Sequence, residues 1–160
     1  MLLKPMHDLI GNIHRRLIKT KRTLAVAESC TGGLLAKILT DRPLSSKYFL
    51  LGLVAYSNNI KIGILKVPAR IVIKRGAVSC EVAKIMAQSV RNLAKANFGI
   101  GITGIAGPSP GTSNKPIGTV FISVTNGKKT ICEKLKLSGS RSLIRKKSAL
   151  QSLKLLKTIL

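Results

Sequence analysis

Two short segments carry side chains that could perform nucleophilic chemistry. Ser29 lies in the run Glu28 to Gly33, where an apolar strand pattern ends and a helical pattern begins. Backbone N–H groups at such a junction lack partners and point outward, so an oxyanion could bind beside the serine hydroxyl. The same run also fits a simple helix cap, because Ser and Thr are common there and glycines ease the turn. Spacing alone leaves both interpretations open.

A serine nucleophile needs a base, and the sequence offers few. Neither histidine stands near a plausible partner, and Glu28 is the only acid close to Ser29, so a Ser-His-Asp triad is not indicated. Lysine can serve when burial or neighbouring cations lower its pKa. Lys61 follows the apolar run Tyr48 to Tyr56 and is the candidate. Taken alone, it could equally be one more solvated lysine.

The elements that must position these residues alternate between helix and strand. Apolar residues at three- or four-residue spacing predict helices over Pro5 to Lys21, from Leu34 to Leu39, after Ser79, and over Ser140 to Leu160. Apolar or alternating runs predict strands over Thr23 to Ala27, Tyr48 to Tyr56, Phe98 to Thr103, Gly118 to Thr125 and Thr130 to Leu137. These elements fit a single domain over residues 1–160, with a mixed sheet covered on both faces.

Three details sharpen this interpretation. The run Tyr48 to Tyr56 is almost continuously apolar, which predicts a strand buried on both faces. Ser79 can cap a helix whose inner face is formed by Val82, Ile85, Met86, Val90 and Leu93. Gly104 to Gly118 must be a loop, and Asn126-Gly127 predicts a hairpin.

Composition bounds the environment of the protein. The longest apolar run has nine residues, whereas a membrane-spanning helix needs about 20, and no uninterrupted signal core is present. We therefore expect a cytoplasmic protein with no membrane partner. The three cysteines stand about fifty residues apart, and the two histidines have no neighbouring ligands at metal-binding spacing. Free thiols and no metal site are expected.

The chain is strongly basic, with 28 Lys and Arg against five acids and a formal charge of +23. Such a charge attracts phosphates, nucleic acids included. The basic residues are scattered through almost every segment, and an AT-rich coding sequence would also enrich lysine. We favour that compositional explanation over nucleic-acid binding.

Four blocks of the sequence together resemble a known family. They are Ala27 to Gly33, Ala55 to Asn58 with Lys61, Gly76 to Ser79, and Thr103 to Pro108 with Lys115 to Val120. In order and approximate spacing they are similar to the C-terminal domain of the CinA family, the competence/damage-inducible proteins that include nicotinamide mononucleotide deamidases. The resemblance covers about residues 5 to 158.

The resemblance implies a fold and an activity. The fold is a three-layer α/β/α sandwich around a mixed sheet. The activity is the hydrolysis of nicotinamide mononucleotide to nicotinic acid mononucleotide and ammonia, with Ser29, Tyr56 and Lys61 as catalytic residues and with no cofactor. A small-molecule substrate and a homodimer are implied. The larger domain that often precedes this one in the family is not in the sequence, so a stand-alone form is expected.

Further residues are expected to bind the substrate. The turn Cys30, Thr31, Gly32 and Gly33 would hold the oxyanion through its N–H groups. Asn58, Thr103 and Gly104 belong to the matching blocks. For the phosphate we favour Arg145 and then Arg141, which match the arginines four apart in the family's last block, over the loop Thr103 to Lys115. A basic helix face remains the alternative for both arginines.

The sequence departs from the family pattern at three positions. Pro110 stands in place of a further glycine, Ser140 in place of an acid, and Cys80 in place of another acid. Pro110 removes an N–H and fixes φ, which puts the loop geometry in question.

Two other functions stay open. One is a nucleic-acid-binding or competence-associated module without catalysis, although Tyr48, Phe49, Phe98 and Phe121 lie in predicted strands and leave few aromatics for base stacking. The other is an amidase acting on a related pyridine or nucleotide amide.

Overall fold

Five strands form one mixed sheet in the computed structural model, which describes residues 3–160 and, in its first helix, side chains from residue 7 onward. The strands are β1 (Leu24–Glu28), β2 (Phe49–Val54), β3 (Phe98–Gly104), β4 (Thr119–Thr125) and β5 (Thr130–Lys136). The helices are α1 (Leu3–Thr20), α2 (Leu34–Thr40), α3 (Asn58–Gly63), α4 (Ala69–Arg75), α5 (Cys80–Ala94) and α6 (Arg141–Lys157), with a short 3-10 turn at Ser45–Lys47.

The sheet has the strand order β2-β1-β3-β4-β5. β1 runs parallel to both of its neighbours, while β3, β4 and β5 are successively antiparallel. The chain therefore passes from β1 to β2 on one side and then returns to β3 on the other side of β1. The predicted hairpin at Asn126-Gly127 joins β4 to β5 and is confirmed.

Helices cover both faces, which confirms the three-layer α/β/α sandwich. On one face α1, α2 and α6 pack on alternate strand residues such as Leu24, Val26 and Ile100. On the other face α5 packs across β1 and β3 through Val82 and Met86. The alternation of side chains along each strand explains the two separate apolar clusters.

Two glycines of β3 allow α5 to lie directly against the sheet. A Cβ at Gly99 would overlap the carbonyl oxygen of Ala87, and one at Gly101 would overlap that of Ala83. The helix backbone occupies the space that side chains would otherwise fill. This close approach fixes the position of α5, whose amino end lies next to the candidate site.

One predicted strand differs in its surroundings. β2 is an edge strand and not a strand buried on both faces, and Leu50 and Val54 are 47% and 45% exposed. An apolar run indicates a strand but does not tell how many neighbours that strand has.

Of the helix predictions, the cap of α5 is confirmed, while the burial of Leu93 and the number of helices are corrected. Ser79 caps α5, its hydroxyl accepting from the N–H of Val82 as predicted. Leu93 is exposed, because the buried stripe of α5 follows Val82, Met86 and Val90 and leaves Leu93 beside it. The short helices α3 and α4 were not predicted, since six or seven residues hold too few turns to show a period. Of the helices that the structure describes, none is long and apolar enough to cross a membrane.

Candidate active site

A cavity of about 220 Å³ opens at the carboxyl ends of β1 and β3. This is where the chain changes direction across the sheet, the position at which ligands bind in open α/β folds. Eight of the twelve predicted site residues line it: Ser29, Cys30, Tyr56, Asn58, Lys61, Thr103, Gly104 and Arg141. The other four, Thr31, Gly32, Gly33 and Arg145, lie outside the lining.

Ser29 follows β1 directly and begins the turn into α2. Its N–H donates to the carbonyl of Ile102 on β3 and its carbonyl accepts from Gly32, so the backbone of the serine is fixed on both sides. Its side chain is 7% exposed and faces the cavity. No hydrogen bond of the Ser29 hydroxyl is found within residues 3–160, which leaves this hydroxyl available for chemistry.

The turn between β1 and α2 requires glycine at two positions. Gly32 and Gly33 have φ values of +58° and +89°, in the left-handed region that other residues adopt at a cost. The Gly32 N–H donates to Ser29, and the Gly33 N–H donates to the Glu28 carboxylate. Within residues 3–160, the N–H groups of Cys30 and Thr31 have no acceptor. Of the four residues predicted to hold an oxyanion, Cys30 and Thr31 are thus the two whose N–H groups could bind one.

Glu28, the acid closest to Ser29 in the sequence, caps a helix in this structure. Its side chain is 1% exposed, and its two oxygens accept hydrogen bonds from the N–H groups of Gly33, Leu35 and Ala36. The carboxylate thus caps the start of α2, where a negative charge is favoured. Since both carboxylate oxygens are held by the backbone and Glu28 does not line the cavity, we assign Glu28 no role as a base.

Lys61 lies in the last turn of α3 and is 2% exposed. Its ammonium donates to the carbonyl of Tyr56 at 3.1 Å, and within residues 3–160 no carboxylate lies in ion-pair distance of it. Burial lowers the pKa of the Lys61 amine from its usual value, and the Cys30 thiol acts in the opposite direction. Desolvation, rather than neighbouring cations, is the cause of the shift. Desolvation thus makes the charged form of Lys61 less favourable than in a solvated lysine.

Cys30 offers a second nucleophile in the same turn, but its chemistry is unfavourable. Burial raises the pKa of the Cys30 thiol to about 12. The thiolate, which is the reactive form, is therefore scarce near neutral pH.

Tyr56 and Arg141 meet at the mouth of the cavity. The Tyr56 side chain is 59% exposed, and its hydroxyl accepts a hydrogen bond of 2.9 Å from Nη2 of Arg141. Nη1 of the same guanidinium donates to the carbonyl of Gly107 in the long loop after β3. The Tyr56 hydroxyl is thus paired with a cation at the rim, while its carbonyl orients Lys61.

Arg145 lies one helical turn further along α6 and has a different environment. Its Nε and Nη2 donate to the carbonyl of Thr31 at 3.1 and 2.7 Å. Thr31 itself is fully buried. Arg141 therefore lines the cavity, whereas Arg145 lies outside the lining on the Thr31 carbonyl. Which of the two arginines binds phosphate stays a prediction.

Three lining residues were not predicted as site residues: Ala77, Val78 and Ala106. Ala77 and Val78 belong to the segment between α4 and α5, and the Thr103 hydroxyl donates to the carbonyl of Ala77 at 2.9 Å. The block Gly76 to Ser79 was the available signal, but small apolar residues suggest no chemistry by type. They shape one wall of the cavity.

The three departures from the family pattern lie away from the lining. Ser140 caps α6, its hydroxyl accepting from the Leu143 N–H at 3.3 Å. Cys80 is the first residue of α5, and Pro110 lies in the loop after β3. Within the described residues, no three His, Cys, Asp or Glu side chains come together as metal ligands.

The fold and the cavity define a class of protein: three-layer α/β/α sandwiches with a serine and a buried lysine at the switch point of the sheet. Comparison with known families identifies the member of this class. The model of the CinA C-terminal domain matches residues 6–160, and the chain belongs to this family.

Individual relatives agree with this assignment. A putative competence-damage inducible protein of Thermoanaerobacter pseudethanolicus is 50% identical over 144 residues, which are 90% of this chain and 35% of that protein. A CinA-like protein of Desulfotalea psychrophila is 45% identical over 155 residues, 97% of this chain and 37% of the relative. The chain thus spans about a third of the length of these relatives.

Solved structures show the same fold. The competence/damage-inducible protein CihA of Agrobacterium tumefaciens superposes with a TM-score of 0.94 at 30% identity, covering 99% of this chain and 97% of the other. A CinA superfamily protein of Escherichia coli gives a TM-score of 0.93 at 29% identity, covering 100% and 94%.

Proposed function

We propose that this chain is an amidohydrolase that converts nicotinamide mononucleotide and water to nicotinic acid mononucleotide and ammonia. The observation that carries the proposal is the presence of an unengaged serine hydroxyl and a buried lysine of lowered pKa in one cavity. Membership of a family that includes amidohydrolases supports the same reaction class.

The proposed reaction starts with proton transfer from Ser29 to the neutral amine of Lys61. The serine oxygen attacks the carboxamide carbon, and the N–H groups of Cys30 and Thr31 hold the oxyanion that forms. Lys61 returns its proton to the leaving nitrogen, and ammonia departs. Water then hydrolyses the nicotinoyl ester with Lys61 again as base. Tyr56 orients Lys61 through its carbonyl, and no metal or organic cofactor takes part.

The size of the cavity suggests how the substrate lies. Ligand pockets usually measure about 300–1,000 Å³, and this cavity of about 220 Å³ is smaller. We therefore expect the nicotinamide ring to enter and the ribose phosphate to extend over the rim. Arg141 stands at that rim, where its guanidinium can exchange the Tyr56 hydroxyl for phosphate oxygens.

The test is a product assay. Purified protein is incubated with nicotinamide mononucleotide, and ammonia and nicotinic acid mononucleotide are measured together. Nicotinamide riboside, which lacks the phosphate, serves as the comparison substrate. Equal amounts of the two products, with lower turnover of the riboside, support the proposal. Turnover of other pyridine amides but not of the mononucleotide would mean that the protein is an amidohydrolase with a different substrate.

A second candidate is a nucleic-acid-binding module, favoured by the net charge of +23. Only two ion pairs, Lys37 with Asp41 and Arg75 with Glu81, are found among the described residues. Against it, Tyr48, Phe98 and Phe121 are buried and unavailable for stacking on bases. DNA binding that weakens steeply with salt, in a protein without deamidation, would favour this candidate.

A further inference from the structure

Two charged side chains outside the cavity form hydrogen bonds with the turn that carries Ser29. One is Glu28, the last residue of β1, which is buried and accepts three backbone hydrogen bonds of 2.8–3.1 Å from the start of α2. The other is Arg145 of α6, which donates twice to the Thr31 carbonyl. Neither side chain is part of the cavity lining.

Gly32 lies between the contacts of Arg145 and Glu28, and its lack of a side chain suits both. A Cβ at Gly32 would lie 3.3 Å from Nη2 of Arg145, so the absence of a side chain leaves the guanidinium room to reach the Thr31 carbonyl. The positive φ of Gly32 turns the chain at the same point. Arg145 thus fixes the peptide that joins Thr31 to Gly32, and Glu28 fixes the one that joins Gly32 to Gly33.

As a consequence, some backbone N–H groups of the turn have an acceptor and others do not. The first N–H groups of a helix have no partner inside the helix and can accept an anion as one. Here the N–H groups of Gly33, Leu35 and Ala36 are taken by Glu28, and that of Leu34 donates to the Thr31 carbonyl. Within residues 3–160, only the N–H groups of Cys30 and Thr31 in this turn remain without an acceptor.

We infer that Glu28 and Arg145 are positioning residues that confine anion binding to the two amides beside Ser29. The carboxylate neutralises the amino end of α2 so that it does not compete for the oxyanion or for the substrate's phosphate. The Arg145 guanidinium holds the turn through the Thr31 carbonyl, outside the cavity lining. Their contribution is made in the transition state, when negative charge develops, and not in substrate binding. This inference rests on the proposed amidohydrolase function.

The test compares Glu28→Gln, Arg145→Ala and Arg145→Lys with the wild type. Glu28→Gln keeps the shape but replaces one acceptor oxygen with an NH₂ group that cannot accept from an amide. Lys146→Ala is the matched control, because Lys146 is the exposed neighbour of Arg145 on α6. Two readouts are used: kcat and KM for nicotinamide mononucleotide, and the rate at which a fluorophosphonate probe labels Ser29. Thermal unfolding confirms that each variant is folded at the assay temperature.

We expect kcat to fall about 10- to 100-fold in Glu28→Gln and Arg145→Ala, with KM within about twofold of the wild type. Labelling of Ser29 should slow by a similar factor, since the probe also develops charge on an oxygen at this site. Arg145→Lys should recover part of both rates, and Lys146→Ala should leave them unchanged. If Glu28→Gln does not fold, the two Arg145 variants carry the test.

Three outcomes would overturn the inference. A raised KM with unchanged kcat in Arg145→Ala would make Arg145 a phosphate ligand. Unchanged rates in both Glu28→Gln and Arg145→Ala would make them structural residues only. A wild-type protein that is not labelled would have no oxyanion site. If the wild type is labelled in a manner that depends on Arg145 but releases no ammonia, the proposed substrate fails and the positioning role stands.

Discussion

At the scale of single residues, the buried amine of Lys61 is the feature that separates this site from a helix cap beside a serine. An ammonium in this position would have two N–H groups without partners within the described residues, since only the Tyr56 carbonyl accepts from it. Burial therefore disfavours the charged form of Lys61, in agreement with its lowered pKa.

This assignment predicts the behaviour of Lys61→Arg. Guanidinium keeps the charge and much of the length but cannot act as a neutral base, so turnover should fall about 10²- to 10⁴-fold, nearly as far as in Lys61→Ala. In the wild type, the rate should rise with pH through the lowered pKa of Lys61, because the deprotonated amine is the active form. Steady-state ammonia release from pH 6 to 10 measures both. Retention of most of the rate in Lys61→Arg would make Lys61 an electrostatic or structural residue.

Arg141 gives a prediction of a different kind. Arg141→Ala should raise KM for nicotinamide mononucleotide about 10- to 100-fold with little change in kcat, since phosphate is held equally in the ground and transition states. The same variant should change the kinetics of nicotinamide riboside little. Lys146→Ala, an exposed change on the same helix, controls for the loss of a positive charge. Equal effects on the two substrates would show that Arg141 does not bind phosphate.

At the scale of helices and strands, most of the fold could be predicted because the patterns are long enough to count. α1, α5 and α6 show several turns of apolar spacing, and the strands are bounded by clear turn residues. The edge position of β2 could not be predicted, since it depends on which strand pairs with which. α3 and α4 could not be predicted because each spans only about two turns.

Some features of the candidate site could likewise be predicted from the sequence, and others could not. Residues whose types suggest chemistry, such as Ser29 and Lys61, could be found from sequence and the family resemblance, and the structure brings them to one cavity. Which of Arg141 and Arg145 lines the cavity could not be predicted, because a spacing of four residues places both on the same face of a helix. The capping role of Glu28 could not either, since it depends on how the chain turns at Gly32 and Gly33.

The packing of α5 on β3 gives a prediction about stability. Gly101→Ala places a methyl group against the backbone of α5 at Ala83 and should lower the free energy of unfolding by about 1–3 kcal/mol or more. Gly63→Ala is the matched control, because a Cβ there meets nothing within 4 Å, and it should change stability by less than about 1 kcal/mol. Urea unfolding measures both. An equally small effect at Gly101 would mean that α5 lies further from the sheet.

At the scale of the whole molecule, the charge of +23 is largely unpaired. Self-repulsion among 28 basic side chains destabilises the compact state, and salt screens it. We expect the thermal midpoint to rise by at least about 2–4 °C between about 10 and 300 mM NaCl, which corresponds to about 1 kcal/mol in a domain of this size. Differential scanning fluorimetry measures the shift. A midpoint that stays constant or falls would show that the charges are compensated in the fold.

The proposal that Ser29 attacks a carboxamide is tested by measuring ammonia release from the wild type beside Ser29→Ala. The substitution removes one hydroxyl at the cavity and leaves the backbone hydrogen bonds of the turn in place, so the fold should persist. We expect steady ammonia release from nicotinamide mononucleotide by the wild type and a loss of about 10³-fold or more in the variant. A variant that keeps more than about a tenth of the wild-type rate would show that Ser29 is not the nucleophile.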